Sequence, residues 1–194
     1  MGELEPISAG SQIGRAVSDI VIVQAGPEAA AEVHRLTQLA FGVYTWLTPP
    51  TGATKETEDD VRRDLAAHGG AVARLNGVGV GALRFVVEPH HLHVRRVAVD
   101  PAYQGRGIGR RLMEWVHAHA AGRGFAEVRL GVRSQLPGNR IFYEKLGYRT
   151  LREHRFPGSR EVHWYEMVRP VGRRGAGSAP GAGQDRADGA NRPG

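Results

Sequence analysis

Apolar residues recur with two different periods along the chain, and each period predicts a different kind of element. Spacings of three and four residues predict helices over Pro27–Phe41, from Ile108 to Gly122 or Gly124, and over Gly138–Leu146. Alternation and short apolar runs predict strands at Ile20–Val23, Ala71–Leu75, Val80–Val87, Leu92–Val99, Val128–Val132, Tyr148–Phe156 and Glu161–Val168. Thr57, with Asp60 three residues later, resembles a capping box and predicts a short helix ending at Gly69 and Gly70. This order of strands and helices predicts an α/β sandwich.

The two ends of the chain lack the periodicity of its middle. Residues 1–18 show no clear period, and residues 172–194 consist mainly of glycine, alanine, arginine and proline, with almost no large apolar side chain. A segment with so little apolar surface cannot offset the entropy lost on ordering. We therefore expect a flexible N-terminal tail (1–18), one folded domain (19–171) and a disordered C-terminal tail (172–194).

Composition narrows the class of protein. The chain has 194 residues, of which 41% are hydrophobic, and this suits one globular domain with a full core. The absence of cysteine excludes disulfides, thiolate zinc sites and a cysteine nucleophile, and the absence of a signal peptide or long apolar run predicts a cytoplasmic protein without a membrane partner. The net charge of +6 comes from scattered arginines, since Lys55 and Lys145 are the only lysines. We therefore interpret the charge as a solvated surface and expect no nucleic-acid partner.

Residues 96–109 form a predicted strand that breaks into a glycine-rich turn and then a helix. Gly105, Gly107 and Gly109 have no Cβ, so their backbone N–H groups can converge on a pyrophosphate at the positive end of the helix. The dinucleotide fingerprint Gly-x-Gly-x-x-Gly would require glycine where Arg110 stands, and the Gly-Lys-Ser/Thr loop of nucleotide triphosphatases is absent. The turn therefore favours a phosphate ligand other than NAD or ATP.

Two motifs identify a family. Gln104, Gly107 and Gly109 form Gln-x-x-Gly-x-Gly directly after Val-Ala-Val-Asp-Pro, which resembles the coenzyme A loop of the GNAT N-acetyltransferase superfamily. About thirty residues later, Asn-Arg-Ile-Phe-Tyr-Glu-Lys-Leu-Gly-Tyr at 139–148 resembles the family segment Asn-x-x-x-Phe-Tyr-x-Lys-x-Gly-Phe/Tyr. Because both occur in the expected order and separation, the chain is identified as a member over roughly residues 21–168.

The resemblance implies a twisted mixed sheet whose central strands splay to admit the pantetheine arm, with acetyl-CoA as co-substrate and no metal. It also implies that the strand backbone at Val97, Ala98 and Val99 bonds the pantetheine amides as an added strand would, with an N–H near Val97 toward the acetyl carbonyl. The implied pyrophosphate loop comprises Gln104, Gly105, Arg106, Gly107, Ile108, Gly109 and Arg110, and Asn139 also approaches the cofactor. The side chains of Arg106 and Arg110 could equally be solvated, and Asn139 is also a good N-cap residue.

The motif tyrosine, Tyr143, is the candidate general acid. A phenol with a pKa near 10 stays protonated at neutral pH and can donate to a departing thiolate, although Tyr143 could also merely pack beside Phe142. His93 is the candidate general base, because it falls where some family members carry a glutamate and imidazole suits this task at neutral pH. Glu88, His163 and a water chain are rival bases. His91 and His93 share a strand face, but no third ligand is evident, so no metal site is expected.

The predicted activity is acetyl transfer from acetyl-CoA to a primary amine, with a small molecule preferred over a protein as acceptor. A loop carrying Tyr44, Trp46, Pro49 and Pro50 is expected to border the acceptor site. Two alternatives belong to other classes: a noncatalytic acyl-CoA-binding sensor, against which Tyr143 argues, and a basic nucleic-acid-binding module. The chain is expected to be a monomer or a homodimer.

Overall fold

The computed structural model describes residues 20–172, which form a seven-stranded mixed sheet with helices on both faces. Apart from Gly172, both predicted tails lie outside these residues. The elements in chain order are β1 (Ile20–Ala25), α1 (Ala30–Phe41), α2 (Glu58–Ala67), β2 (Gly70–Leu75), β3 (Val78–Val87), β4 (His91–Val99), α3 (Ile108–Gly122), β5 (Glu127–Arg133), α4 (Pro137–Lys145), β6 (Arg149–Arg155) and β7 (Val162–Pro170).

Every predicted helix and strand is present, with bounds that differ by a few residues. The helix predicted from Pro27 begins as a short 3₁₀ turn, Pro27–Ala29, and becomes α-helical at Ala30. The strand predicted from Val80 starts at Val78, because Asn76 and Gly77 both adopt positive φ and close a two-residue hairpin. The predicted capping box exists as well: the Thr57 hydroxyl accepts from the N–H of Asp60, whose carboxylate accepts from the N–H of Thr57.

The middle of the sheet contains a short parallel pairing that soon ends. The strand order is β1-β2-β3-β4-β5-β7-β6, and β4 and β5 pair in parallel only from His91 with Glu127 to Val94 with Leu130. Beyond Val94 the two strands part, while β5 stays paired with β7 as far as Arg133. The edge of β4 that faces this gap therefore has no partner strand within residues 20–172. This is the splay that the family resemblance implies.

Two separate cores hold the helices to the sheet. On one face, α3 buries a stripe at spacings of three and four residues, which consists of Ile108, Leu112, Met113, Val116 and Ala120. On the other face, α1 and α2 bury Val33, Leu36, Val61 and Leu65 against Val72 and Ala82. Helices on both faces thus hold the central strands, and the gap between β4 and β5 remains open between them.

A β-bulge interrupts β4 beside the splay. Arg84 pairs with Arg95, whereas Ala82 pairs with Ala98, so β4 carries one more residue than β3 over this stretch. Arg96 occupies the extra position with φ of 55°, a left-handed conformation that is uncommon for a residue other than glycine. The bulge therefore breaks the in-out alternation of the strand at Arg96.

The broken alternation directs two adjacent arginines to the same side of the sheet. Val94 and Val97 both pack with the core on the α3 face, although they are three positions apart and a regular strand would place them on opposite faces. Arg95 and Arg96 both reach the opposite side, where they meet carboxylates from α2 and from the segment before it. A regular strand would have sent these neighbours to opposite faces.

A buried ion network fixes the bulge to α2. Arg84, only 1% exposed, donates to Asp64 at 2.8 Å and to Glu56, while Arg95 donates to Asp64 and Arg96 to Glu56 at 2.8 Å. Burial acts to raise the pKa of Glu56, but the hydrogen bond from Arg96 and the charges of Arg84 and Arg96 outweigh it and hold that pKa below its usual value. Three guanidinium groups thus share two carboxylates.

Removing one carboxylate should destabilise the fold, because it leaves three guanidinium groups, including that of the buried Arg84, with a single carboxylate. We expect Asp64→Asn to lower the free energy of unfolding by about 3 kcal/mol, measured by urea denaturation at neutral pH. Asp59→Asn is the control, since Asp59 lies on the same helix with a side chain that is 79% exposed, and should cost well under 1 kcal/mol. Equal losses in the two variants would show that the network contributes nothing particular to stability.

Candidate active site

The splay of β4 and β5 opens onto two adjoining clefts. The first, of about 470 Å³, we call the histidine cleft, because His93 and His163 line it. The second, of about 380 Å³, we call the glycine cleft, because the turn with Gly105, Gly107 and Gly109 lines it. Residues that line both clefts are Phe41, Tyr44, Val97, Asn139 and Tyr143. The two clefts therefore meet at the end of β4 and the face of α4.

The glycine cleft collects most of the residues predicted to hold a cofactor. Those lining it are Val97, Val99, Gln104, Gly105, Gly107, Ile108, Gly109, Arg110 and Asn139. Gly105 and Gly107 both have φ of 77°, and the side chain of Gln104 donates to the carbonyl of Val99 at 3.2 Å, which ties the turn to the strand. The turn is therefore a loop of defined shape rather than a loose connection.

The start of α3 suits an anionic ligand. Gly107 is its N-cap residue, and no side chain caps the first turn, so the N–H groups of Ile108, Gly109 and Arg110 lack intrahelical partners. These three residues line the glycine cleft at the positive end of a 15-residue helix. At Gly109, an added Cβ would lie 3.3 Å from the ring of Phe142, so α3 and α4 approach closely there.

Two predicted cofactor residues do not line either cleft. Ala98 is fully buried and pairs with Ala82, because its side chain points toward α1 and α2 rather than toward the gap. Arg106 is exposed, and its guanidinium lies over the ring of Tyr103 at 5.2 Å. Of the two arginines considered for the pyrophosphate, Arg110 lines the cleft and Arg106 does not.

Tyr143 lies where the clefts meet. Its ring packs edge-on against Phe142 at 5.0 Å and Tyr148 at 5.7 Å, so the packing interpretation of this residue is correct for the ring. No hydrogen bond to another described residue occupies its hydroxyl. Burial, and to a smaller degree the nearby Tyr44, raises the pKa of Tyr143 well above the usual phenol value. The hydroxyl therefore keeps its proton at neutral pH and is available as a donor.

His93 lines the histidine cleft from β4 and is half-buried. Burial is the main cause that lowers its pKa, and the neighbouring His91, whose ring lies 6.3 Å away, adds to the effect. The imidazole is therefore neutral near pH 7. No described residue forms a hydrogen bond with it, so a ring nitrogen is free to accept a proton.

The rival bases are placed less favourably. His163 also lines the histidine cleft, but its Nε2 accepts a hydrogen bond from Arg133, so this lone pair is already engaged. Burial, followed by the charge of Arg133, lowers the pKa of His163. Glu88 lies beyond the end of β3 and lines neither cleft. Among residues 20–172 there is no group of three or more His, Cys, Asp or Glu side chains arranged to hold a metal ion, and this includes His91 and His93.

Several residues of the histidine cleft were not found by sequence reasoning. Arg133 extends from the end of β5 and donates to the carbonyl of Pro49, which links β5 to the loop after α1. Trp164 lines the same cleft from β7. The strand periods give no signal for either role, because Arg133 and Trp164 pair with each other on β5 and β7, and only the parting of β4 from β5 opens a cleft beside them. Arg95 lines the cleft two positions after His93, and Arg96 lines it because of the bulge, which the sequence does not reveal.

The aromatic loop after α1 borders the histidine cleft in part. Tyr44, Pro49 and Pro50, which were predicted to border an acceptor site, line this cleft. Trp46 does not, since it packs edge-on against Tyr44 with ring centres 6.4 Å apart and is 56% exposed.

Within residues 20–172, no helix is long and apolar enough to cross a membrane.

Comparisons with known proteins agree with this architecture. A model of the acetyltransferase (GNAT) family matches residues 35–148. The chain is 28% identical over 149 residues to N-alpha-acetyltransferase RimI of Mycobacterium tuberculosis, which covers 77% of this chain and 82% of that protein. It is 45% identical over 65 residues to mouse N-alpha-acetyltransferase 80, which covers 34% of this chain and 19% of the mouse protein.

Among solved structures, the PaiA N-acetyltransferase of Thermoplasma acidophilum in complex with coenzyme A superposes with a TM-score of 0.66. The two chains are 15% identical, and the match covers 78% of this chain and 98% of the other, so it shows a common fold. The family model spans more than half of the chain, including the glycine-rich turn and the tyrosine of α4. The chain therefore belongs to the GNAT family of acetyltransferases and is an acetyl-CoA-dependent N-acyltransferase.

Proposed function

We propose that the chain transfers the acetyl group of acetyl-CoA to a primary amine bound in the histidine cleft, with the coenzyme held in the glycine cleft. The observation that carries this proposal is the junction of the two clefts, where Tyr143 lies beside the unpaired edge of β4. A thioester that reaches this junction from one cleft would meet an amine that enters from the other. The same residues would then contact both reactants.

The residues of the glycine cleft suit coenzyme A. The uncapped N–H groups at the start of α3 and the guanidinium of Arg110 offer donors to a pyrophosphate. The unpaired backbone of β4 at Val97 and Val99 can bond the pantetheine amides as a neighbouring strand would, and Asn139 adds an amide at the far wall. An added Cβ at Gly107 would meet no protein atom within 4 Å, so the space beside it is open to a ligand.

In this proposal each step of the chemistry falls to one residue. Acetyl-CoA supplies the activated acetyl group. His93 accepts the proton that the amine nitrogen loses as it bonds to the carbonyl carbon, and the backbone N–H near Val97 donates to the carbonyl oxygen. When the carbon–sulfur bond breaks, Tyr143 donates its proton to the departing thiolate. Exchange with water then returns both residues to their starting protonation states.

The acceptor is proposed to be a small molecule in preference to a protein. A cleft of about 470 Å³ lies within the ordinary size range of small-molecule sites. The walls contributed by Tyr44, Pro49 and Pro50 provide apolar contact, while His93 and His163 provide polar contact. The terminal residues of a peptide would also fit, and the relatives named as N-alpha-acetyltransferases make that the alternative.

Tyr143→Phe tests the catalytic proposal, because it keeps the packed ring and removes only the proton donor. Turnover, measured as thiol release from acetyl-CoA over a library of amines, should fall by roughly 10²- to 10⁴-fold with coenzyme A affinity nearly unchanged. Tyr148→Phe is the matched control, since the Tyr148 hydroxyl is bonded to His117 at 2.9 Å and lines neither cleft. Wild-type turnover in Tyr143→Phe would remove this residue from the mechanism, and binding without any thiol release in the wild type would favour a sensor.

Gly107→Ala tests the placement of the coenzyme. An alanine at φ of 77° costs about 1 kcal/mol of folding stability, and its Cβ would point into the space proposed for the pyrophosphate. Calorimetry should show coenzyme A affinity reduced at least about tenfold, equivalent to 1.4 kcal/mol. Gly124→Ala is the control, because Gly124 has φ of 78° and equally open space at the opposite end of α3. Equal affinity in both variants would place the coenzyme elsewhere.

His93→Gln tests the proposed base through the pH dependence of kcat/KM. The lowered pKa keeps His93 neutral at pH 7, so the wild-type rate should fall only as the pH drops through that lowered pKa, below 6.5. In the variant the rate should fall most near neutral pH, by roughly 10²-fold, and the apparent pKa of the profile should move up toward that of the amine itself. If His163→Gln shifts the profile while His93→Gln follows the wild-type curve, the base lies on β7 instead.

A further inference from the structure

The charges that line the histidine cleft are all of one sign. Its titratable lining consists of Arg95, Arg96, Arg133, His93 and His163, together with the phenols of Tyr44 and Tyr143. No aspartate or glutamate is among the residues that line it. A primary amine is a cation at neutral pH, so a cleft meant only for amines would not be expected to present arginine.

Two of these arginines have their charge largely offset behind the cleft wall. Arg95 pairs with Asp64 and Arg96 with Glu56, and both carboxylates also hold Arg84. Three guanidinium groups against two carboxylates leave one positive charge in excess. This network alone would make the cleft mildly positive without directing any particular ligand.

Arg133 differs from them, because it has no carboxylate partner among residues 20–172. Its two terminal nitrogens contact only neutral acceptors, Nε2 of His163 and the carbonyl oxygen of Pro49. A guanidinium carries five N–H groups, so three remain free for a ligand. Partial burial lowers the pKa of Arg133, as expected for a guanidinium that has lost some water and has no carboxylate beside it.

The contacts of Arg133 also hold it in one orientation. Pro49 belongs to the loop after α1, and His163 lies on β7 with its ring 4.0 Å from that of Phe156. A planar guanidinium fixed in this way can form two parallel hydrogen bonds with a carboxylate or phosphate, and these are stronger than bonds between neutral groups. The unused N–H groups and the absent counter-charge both indicate that the missing partner is an anion such as a carboxylate or a phosphate.

Building on the proposed function, we propose that the acceptor molecule carries an anionic group, a carboxylate or a phosphate, in addition to its amine, and that Arg133 binds this group. The anion then positions the amine at the opposite part of the cleft, where His93 and Tyr143 lie. Arg133 is thus a specificity-determining residue, because it favours acceptors that carry both an amine and an anionic group over acceptors that carry an amine alone. Its contribution is to binding, so it should act on KM rather than on kcat.

Matched pairs of amines test this inference. Thiol release would be measured for β-alanine against β-alaninamide and for O-phosphoethanolamine against ethanolamine, with rates expressed per unbound, unprotonated amine. The peptides Ala-Asp-Ala and Ala-Asn-Ala, both with amidated C-termini, form a third pair, which distinguishes a side-chain carboxylate on a peptide from an anion on a small molecule. The anionic member of at least one pair should have a kcat/KM at least about tenfold higher, and the advantage should shrink at 0.5 M salt.

Three variants separate the role of Arg133 from general charge. Arg133→Gln should abolish the preference by raising KM for the anionic member with kcat little changed, and Arg133→Lys should restore part of it. Arg152→Gln removes one positive charge from the exposed face of β6, outside both clefts, and should leave the preference intact. Melting temperatures of all three would show whether loss of the Pro49 contact unfolds the loop region.

The outcomes distinguish failure of this inference from failure of the proposed function. If neutral amines are acetylated with the same kcat/KM as their anionic partners, the inference is wrong and the acetyltransferase function stands. The same conclusion follows if Arg133→Gln keeps the preference for the anionic member. If no amine is acetylated, the same pairs are titrated by calorimetry with coenzyme A present. Tighter binding of anionic members that is lost in Arg133→Gln would support the anion site, and equal binding would overturn it.

Discussion

The parting of β4 from β5 is the constraint on which the rest of the site depends. A parallel pairing of only four residues holds the two halves of the sheet together, from His91 with Glu127 to Val94 with Leu130. Backbone groups in the middle of a sheet are normally paired, because an unpaired N–H or C=O that loses water costs free energy. Here a run of them borders a gap, and both clefts open from it. Every residue to which we assign chemistry lines one or both of these clefts.

The bulge at Arg96 and the ion network beneath it stabilise the strand that has lost its partner. Because Arg95 and Arg96 both turn toward α2, the unpaired part of β4 is held from one side by Asp64 and Glu56. Just beyond the bulge, Val97 packs with the core on the α3 face and lines both clefts. The arrangement combines a rigid strand with an open edge, whereas a regular strand paired on both sides would have no open edge.

The fold and the site were predictable from sequence to different extents. Helices and strands follow local periods, and the turn at Gly105 and Gly107 follows from the conformational freedom of glycine, so both were found correctly. The bulge was not, because the apolar residues on either side of Arg96 mimic an uninterrupted strand. Arg133 was missed for a similar reason. It lies where β4 no longer pairs with β5, and the period of a sequence indicates which residues are buried but not where the pairing between two strands ends. The side chain of Ala98 faces away from the gap, so its predicted contact with the cofactor rests on its backbone alone and stays a prediction.

The unpaired edge of β4 also couples folding to occupancy. In the free protein the backbone of residues 95–99 has only β3 as a partner, and pantetheine amides bound along this edge would complete the missing hydrogen bonds. If the coenzyme binds as proposed, binding energy and folding energy would come from the same bonds, and saturation with the coenzyme would raise the stability of the native state by mass action. The co-substrate would then act as a temporary eighth strand, so each cycle of acetyl transfer would begin and end with a sheet that lacks this strand.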